Sequence, residues 1–239
     1  PRRRRRAAEL CCHVVNRFAS VGDSAVLVEL ASEFTEQANQ HVVALDQAIN
    51  RAIDEASVVG IVETVPAYVS VLVVFDPLVT DHDAVRAAIS LLDTTGAATV
   101  DPSRHHVAVC YDLGVAPDLE AVAAYSRLSP DGLVEAHLSG SYRVVMYGFA
   151  PGYAYLSGVP DSINVPRKQQ PVRGVPAGSV IIAGGQCLIT TIEMPTGWSV
   201  IGRTHFRVLP DQPDAPFAFR PGDEIVFDRI TLDEYEATS

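Results

Sequence analysis

Ser179-Val-Ile-Ile-Ala-Gly-Gly-Gln-Cys-Leu-Ile-Thr190 decides the fold class of this chain. It holds two short apolar runs, Ser179–Ala183 and Leu188–Ile192, around a Gly184-Gly185-Gln186 turn. Such runs are too short for ordinary helices, and paired glycines supply the backbone freedom of a tight turn. The same pattern extends outward through Tyr142–Tyr147, Ser199–Ile201, Phe206–Leu209 and Glu224–Phe227, separated by Gly- and Pro-rich turns with no helical period. Closely spaced strands with turn signals predict a β-barrel or sandwich for this half.

The preceding half reads differently. Ser24–Leu30 reads as a strand, and Thr35 is placed to cap a segment with Ala38, Val42, Leu45 and Ile49 at helical spacing. Two β-rich runs follow, Val58–Val65 and Tyr68–Phe75. Asp81 then starts an amphipathic helix carrying Val85, Ala88, Ile89 and Leu92, and His106–Tyr111 reads as a strand. The order β-α-β-β-α-β is that of a split βαβ, ferredoxin-like unit. Two short helices, Leu119–Leu128 and Pro130–Leu138, lead into the all-β half, with Ser129-Pro130 as a cap and first-turn proline. This pair has the outline of a helix-turn-helix, but its second helix offers Asp131 and Glu135 and no Lys or Arg to a DNA groove. The domain reading is therefore a disordered or appended leader at 1–15, a ferredoxin-like α/β domain at 16–100, and a helical pair plus barrel at 101–239.

The 239 residues carry 18 Lys and Arg against 29 Asp and Glu, a net charge of −11. Removing the five arginines of Arg2–Arg6 leaves 13 against 29, a balance of −16. So acidic a body is a poor polyanion binder, which argues against nucleic acid and anionic membrane as partners. The arginine run reads either as a basic arm or as a leader. No apolar stretch approaches the ~20 residues of a membrane span. Cys11, Cys12, Cys110 and Cys187 show no Cys-x-x-Cys spacing, so neither a zinc site nor a disulfide framework is signalled. The expectation is a reduced, cytoplasmic protein.

Several segments carry candidate chemistry. Gly148-Phe-Ala-Pro-Gly-Tyr-Ala-Tyr-Leu156 reads either as a tight turn between barrel strands or as a ligand wall, with Gly152 allowing close approach and Phe149, Tyr153 and Tyr155 as sides. It lacks the Gly-Lys-Ser/Thr of a phosphate-binding loop. Between Val165 and Pro176, three prolines stiffen a stretch bearing Arg167, Lys168 and Arg173, either a solvated loop or a clamp for a carboxylate or phosphate. Gln186 can hold an amide or oxyanion from its Gly-rich turn. His137, near a helix end, reads as a cap or as a general acid-base, and Cys187 as a small barrel residue or a nucleophile. The seven histidines form no metal set, since His105 and His106 point to opposite faces of one strand.

The ordered motifs resemble a family that joins KipI, the first subunit of allophanate hydrolase and the B component of 5-oxoprolinase. They include Gly22-Asp-Ser-Ala-Val-Leu-Val-Glu29, Ser70-Val-Leu-Val-Val-Phe-Asp-Pro77, Gly148–Leu156, Val165-Pro-Arg167, Val175-Pro-Ala-Gly-Ser-Val180, Ala183-Gly-Gly-Gln186, Ile201-Gly-Arg-Thr204 and Arg220-Pro-Gly-Asp223. The resemblance runs from about Phe18 to Ile230. Here Pro195-Thr196-Gly197-Trp198 stands where members usually have Pro-Gly-Gly-Trp, and Arg173 is displaced by one position. The resemblance implies an α/β domain followed by a cyclophilin-like β-barrel. It further implies a non-autonomous subunit of ATP-dependent 5-oxoprolinase, which opens 5-oxoproline to L-glutamate. The implied partners are a KipA / allophanate hydrolase subunit 2 type subunit and a third, LamB/YcsF-type subunit. Two other activities attach to the family, inhibition of a sensor histidine kinase and a part in urea carboxylase or allophanate hydrolase. On the enzyme reading, Arg167, Arg203 and Gln186 hold anionic intermediates and Phe149, Tyr153, Tyr155 and Trp198 shape the pocket. His137 transfers protons, and ATP is used by the assembled complex.

Overall fold

The computed structural model describes residues 17–94, 102–212 and 216–238. The expected leader at 1–15 and the boundary near residue 100 lie outside them. The chain divides into two compact units, Pro1–Val100 and Asp101–Ser239.

In the first unit, β1 (Arg17–Val21), β2 (Ala25–Glu29), β3 (Ile61–Pro66) and β4 (Ser70–Phe75) form one antiparallel sheet in the order β1-β2-β4-β3. Alternation along β2 and β4 turns Val26, Val28, Val71, Val73 and Phe75 to one buried face. Helix α1 (Glu36–Asp54) covers that face with Val42, Leu45 and Ile49. The Thr35 hydroxyl caps it by accepting the Ala38 amide at 3.0 Å. Helix α2 (His82–Ser90) is capped by Asp81 and adds Val85 and Ile89.

Strands β2 and β3 flank β4, which is the split β-α-β expected of this half. The unit does not complete the ferredoxin-like pattern. Its outer position beside β2 is filled by β1, hairpinned onto β2 with Val21 opposite Ala25. The strand expected to end the pattern, observed as β5 (Arg104–Cys110), belongs to the barrel of the second unit. Local order reads a strand's existence, whereas its sheet is set by distant partners.

That barrel is closed, in the order β10-β7-β6-β13-β5-β12-β9, with β9 pairing back to β10. Its strands are β5, β6 (Tyr142–Tyr147), β7 (Ala154–Ser157), β9 (Ser179–Ala183), β10 (Gln186–Ile189), β12 (Ser199–Arg203) and β13 (Glu224–Ile230). Strand β13 runs parallel to β5 over its full length, Glu224 beside Arg104 and Ile230 beside Cys110. The remaining pairs are antiparallel. Helices α3 (Leu119–Ser126) and α4 (Pro130–Leu138) pack Leu119, Val122, Leu133 and Val134 into the same core as Val109, Val144, Leu156, Ile182 and Ile201. The helical pair is thus structural. The expected strand at Phe206–Leu209 is irregular chain: Phe206 stacks on Phe219 with centroids 5.0 Å apart, and Val208 is buried in the core. A two-stranded ribbon, β8 (Val172–Val175) with β11 (Met194–Thr196), and a short helix α5 (Leu232–Ala237) complete the unit.

Candidate functional site

Parity on the barrel strands makes two separate environments. On β9, Val180 and Ile182 point into the barrel while Ile181 and Ala183 point out. On β10 Cys187 is inside and Leu188 outside, and on β12 Ile201 is inside and Val200 outside. Along β7 and the residue before it, Ala154 and Leu156 are inside, Tyr153 and Tyr155 outside. The outward set would be an exposed apolar stripe. It is covered instead by the β8–β11 ribbon, which adds Val175 and Met194.

Between wall and ribbon lies a cavity of about 160 Å³, lined by Phe149, Tyr153, Tyr155, Arg167, Ile181, Leu188 and the run Met194–Trp198. Trp198 is its base, only 5% exposed, with Tyr155 edge-on at 6.0 Å and the Arg167 guanidinium 5.4 Å from its ring centroid. An aromatic face attracts a cation. The Tyr153 hydroxyl donates to Met194 Sδ at 2.6 Å, and burial pushes its pKa up to about 12, so it stays a neutral donor. Phe149 is 75% exposed and held in the left-handed region at φ 71°. A non-glycine residue there is strained by about 1 kcal/mol, and such strain gathers at ligand sites.

The Gly148–Tyr153 loop is the turn its sequence suggested, and it also gives the cavity two of its sides. It is the turn that joins β6 to β7, whose register sets Tyr147 opposite Ala154, and it supplies the Phe149 and Tyr153 walls. Gly152 serves the turn: at φ +74°, a Cβ there would meet Leu209 Cγ at 2.6 Å.

Phe149, Tyr153, Tyr155, Arg167 and Trp198 therefore meet in one pocket. Arg173, exposed on β8, does not line it, nor do Gln186 at the start of β10 and Arg203 at the end of β12. Arg203 Nη2 donates to the Ala177 carbonyl. Lys168, from the same basic stretch as Arg167, is paired with Asp118 at 2.6 Å.

His137 sits in the other environment. It is fully buried inside the barrel, Nδ1 2.9 Å from the Tyr111 hydroxyl and Nε2 3.7 Å from Cys187 Sγ. Burial lowers its pKa to about 3, and burial also raises the Cys187 and Tyr111 pKa values well above their ordinary ones. His137 and Cys187 are fully buried and Tyr111 nearly so, burial favours the neutral form of each, and none of the three lines the pocket. The sequence reading missed Ile181, Leu188, Met194, Pro195 and Thr196 as lining; the usable signal was outward parity on β9 and β10.

With the geometry in place, relatives are informative. Residues 16–219 match the family described as carboxyltransferase domain, subdomain C and D. The chain belongs to this family. It is 34% identical to the B component of 5-oxoprolinase from Bacillus subtilis (strain 168) over 233 residues, covering 92% of this chain and 95% of that protein. It is 32% identical to the B component of 5-oxoprolinase from Escherichia coli O157:H7 over 208 residues, covering 87% and 93%. Among solved structures, TTHA0988 superposes with a TM-score of 0.76 at 28% identity, covering 87% of this chain and 40% of that one. This family member thus spans about two fifths of that longer chain. The Kluyveromyces lactis urea carboxylase, at 19% identity and TM-score 0.70, shares the fold over 92% of this chain and 22% of its own.

Proposed function

We infer that this chain is the B component of a 5-oxoprolinase, a hydrolase of a cyclic amide C–N bond that works only with partner subunits. The observation that carries the reading is the 34% identity to a protein of that name over nearly the whole of both chains. We further propose that the Arg167–Trp198 pocket receives the substrate. At about 160 Å³ it suits a small molecule, being below the ~300 Å³ where pockets for drug-sized ligands begin. The flat lactam would lie against Trp198 and Tyr155, and Arg167 would pair with the carboxylate, for which its fork geometry is suited. The Tyr153 hydroxyl, neutral and already donating to Met194 Sδ, keeps acceptor lone pairs for the lactam N–H.

ATP suits neither this pocket nor a second, larger cavity. The pocket is too small, and a larger one of about 530 Å³ is faced by Asp112, Asp131 and Glu234, with its Arg229 already paired to Asp131 at 3.0 Å. Three carboxylates repel a polyphosphate. Nucleotide use is accordingly assigned to the assembled complex, and this chain's own part is to bind and orient the lactam. His137 is left out of the proton-transfer role because it is sealed in the barrel.

Co-expression with subunits of the KipA / allophanate hydrolase subunit 2 and LamB/YcsF types tests the reading. ATP-dependent release of L-glutamate from 5-oxoproline is expected from the complex and not from this chain alone. Release by the isolated chain would overturn the shared-site proposal. No release by any combination, with inhibition of a histidine kinase by this chain alone, would favour the regulator reading.

A further inference from the structure

Asp118 stands at the N-cap of α3, yet its carboxylate makes no capping bond to that helix. Its Oδ2 instead accepts from Lys168 Nζ at 2.6 Å and from the Val200 amide at 2.7 Å, while its own amide donates to the Val200 carbonyl at 3.0 Å. Lys168 directly follows Arg167, and its amide donates to the Gly197 carbonyl at 2.7 Å. Val200 lies two residues beyond Trp198. One carboxylate oxygen thus ties together the two chain segments that bring the pocket its cation and its ring.

A cation–π contact at an exposed arginine is weak, and ordering so long a side chain costs more than that contact returns. The stack alone therefore cannot hold the exposed Arg167 in one place. The Lys168–Asp118 pair is better able to hold its segment, since the two side chains are only 23% and 20% exposed and the carboxylate is shared with a backbone amide.

We propose that Asp118 is a positioning residue, setting the separation of Arg167 from Trp198 through Lys168 and Val200 and so tuning the pocket for a small planar carboxylate. The tuning rests on reading the pocket as the substrate site; the tie between the segments does not.

Trp198 is the single tryptophan, so its fluorescence reports this locus alone. The double replacement Asp118→Asn/Lys168→Met removes the ion pair and keeps the local net charge. In the isolated chain, the ratio of iodide to acrylamide quenching of Trp198 is expected to fall about twofold, toward the value for Arg167→Gln, as the cation beside the ring moves away. In the co-expressed complex, KM for 5-oxoproline is expected to rise about tenfold with kcat changed less. An unmoved ratio in the double variant, where Arg167→Gln lowers it, overturns the positioning role. A lowered ratio with KM unchanged in both variants keeps that role and sinks the substrate reading. Should the double variant not fold, Lys168→Gln against Lys168→Arg serves. A raised KM in Lys168→Gln that Lys168→Arg restores supports the tie, and equal effects in both overturn it.

Discussion

The inside and outside of the barrel wall are built from the same strands, often from adjacent residues, and behave as opposites. Cys187 and Leu188 are neighbours on β10, yet one belongs to the buried Tyr111–His137–Cys187 cluster and the other lines a solvent-reached pocket. Inside, polar groups are few, matched to one another and held neutral by burial. Outside, a cation, a strained exposed aromatic and a buried indole are arranged around a void. The period of two along a strand, more than residue type, decides which groups can meet a ligand. A histidine is the commonest proton carrier, but parity and helix packing have put this one on the wrong side of the wall.

That contrast can be broken or sharpened experimentally. The largest effect is expected from Leu156→Ala, which empties a fully buried interior site and should cost about 3–4 kcal/mol in urea unfolding while leaving pocket chemistry intact in the folded fraction. Next comes the pH response of His137. Its folded pKa of about 3 lies below the unfolded value near 6.5, so the unfolded state binds more protons between those values. Its contribution is complete above pH 6.5 and is lost as pH falls toward 3, by up to about 1.4 kcal/mol per pH unit. His137→Gln should flatten that slope in acid unfolding; a slope unchanged from the parent would contradict the sealed, neutral assignment. On the outer side, Arg167→Gln should raise KM for 5-oxoproline in the complex about tenfold or more, with urea stability within about 0.5 kcal/mol. The smallest effect should come from Phe149→Gly, which relieves the left-handed strain and stabilises by roughly 0.5–1 kcal/mol while weakening substrate binding. Opposite signs for stability and binding at Phe149, and a shared loss at Leu156, would mark the two sides as distinct.

Much of this was legible in the residues. Tyr142–Tyr147 and Ser179–Ala183 read as strands with the observed bounds, because compact apolar runs stand there between glycine-bearing turns. Strands β8 and β11 escaped, since Val-Arg-Gly-Val and Met-Pro-Thr carry the residues that usually mark turns. The strand at β5 was visible, but its sheet was not: its partner lies 120 residues away, and no local pattern encodes that pairing. For the site, the aromatic loop and Arg167 stood out because they are unusual in an acidic chain. His137, Gln186, Arg173 and Arg203 were chosen on residue type, and only three-dimensional parity and packing could separate them from the pocket.

The parallel pairing of β5 with β13 has a consequence for biosynthesis. Strand β13 is inserted between β5, the first barrel strand, and β6, so the two strands nearest the start of the barrel sequence must wait for the last to emerge from the ribosome. A nascent chain ending before Glu224 has β5 and β6 with open edges and no closed wall. Such long-range closure is slow. Each waiting strand carries one arginine, Arg104 on β5 and Arg143 on β6, and like charge at open edges discourages one unfinished chain from pairing with another.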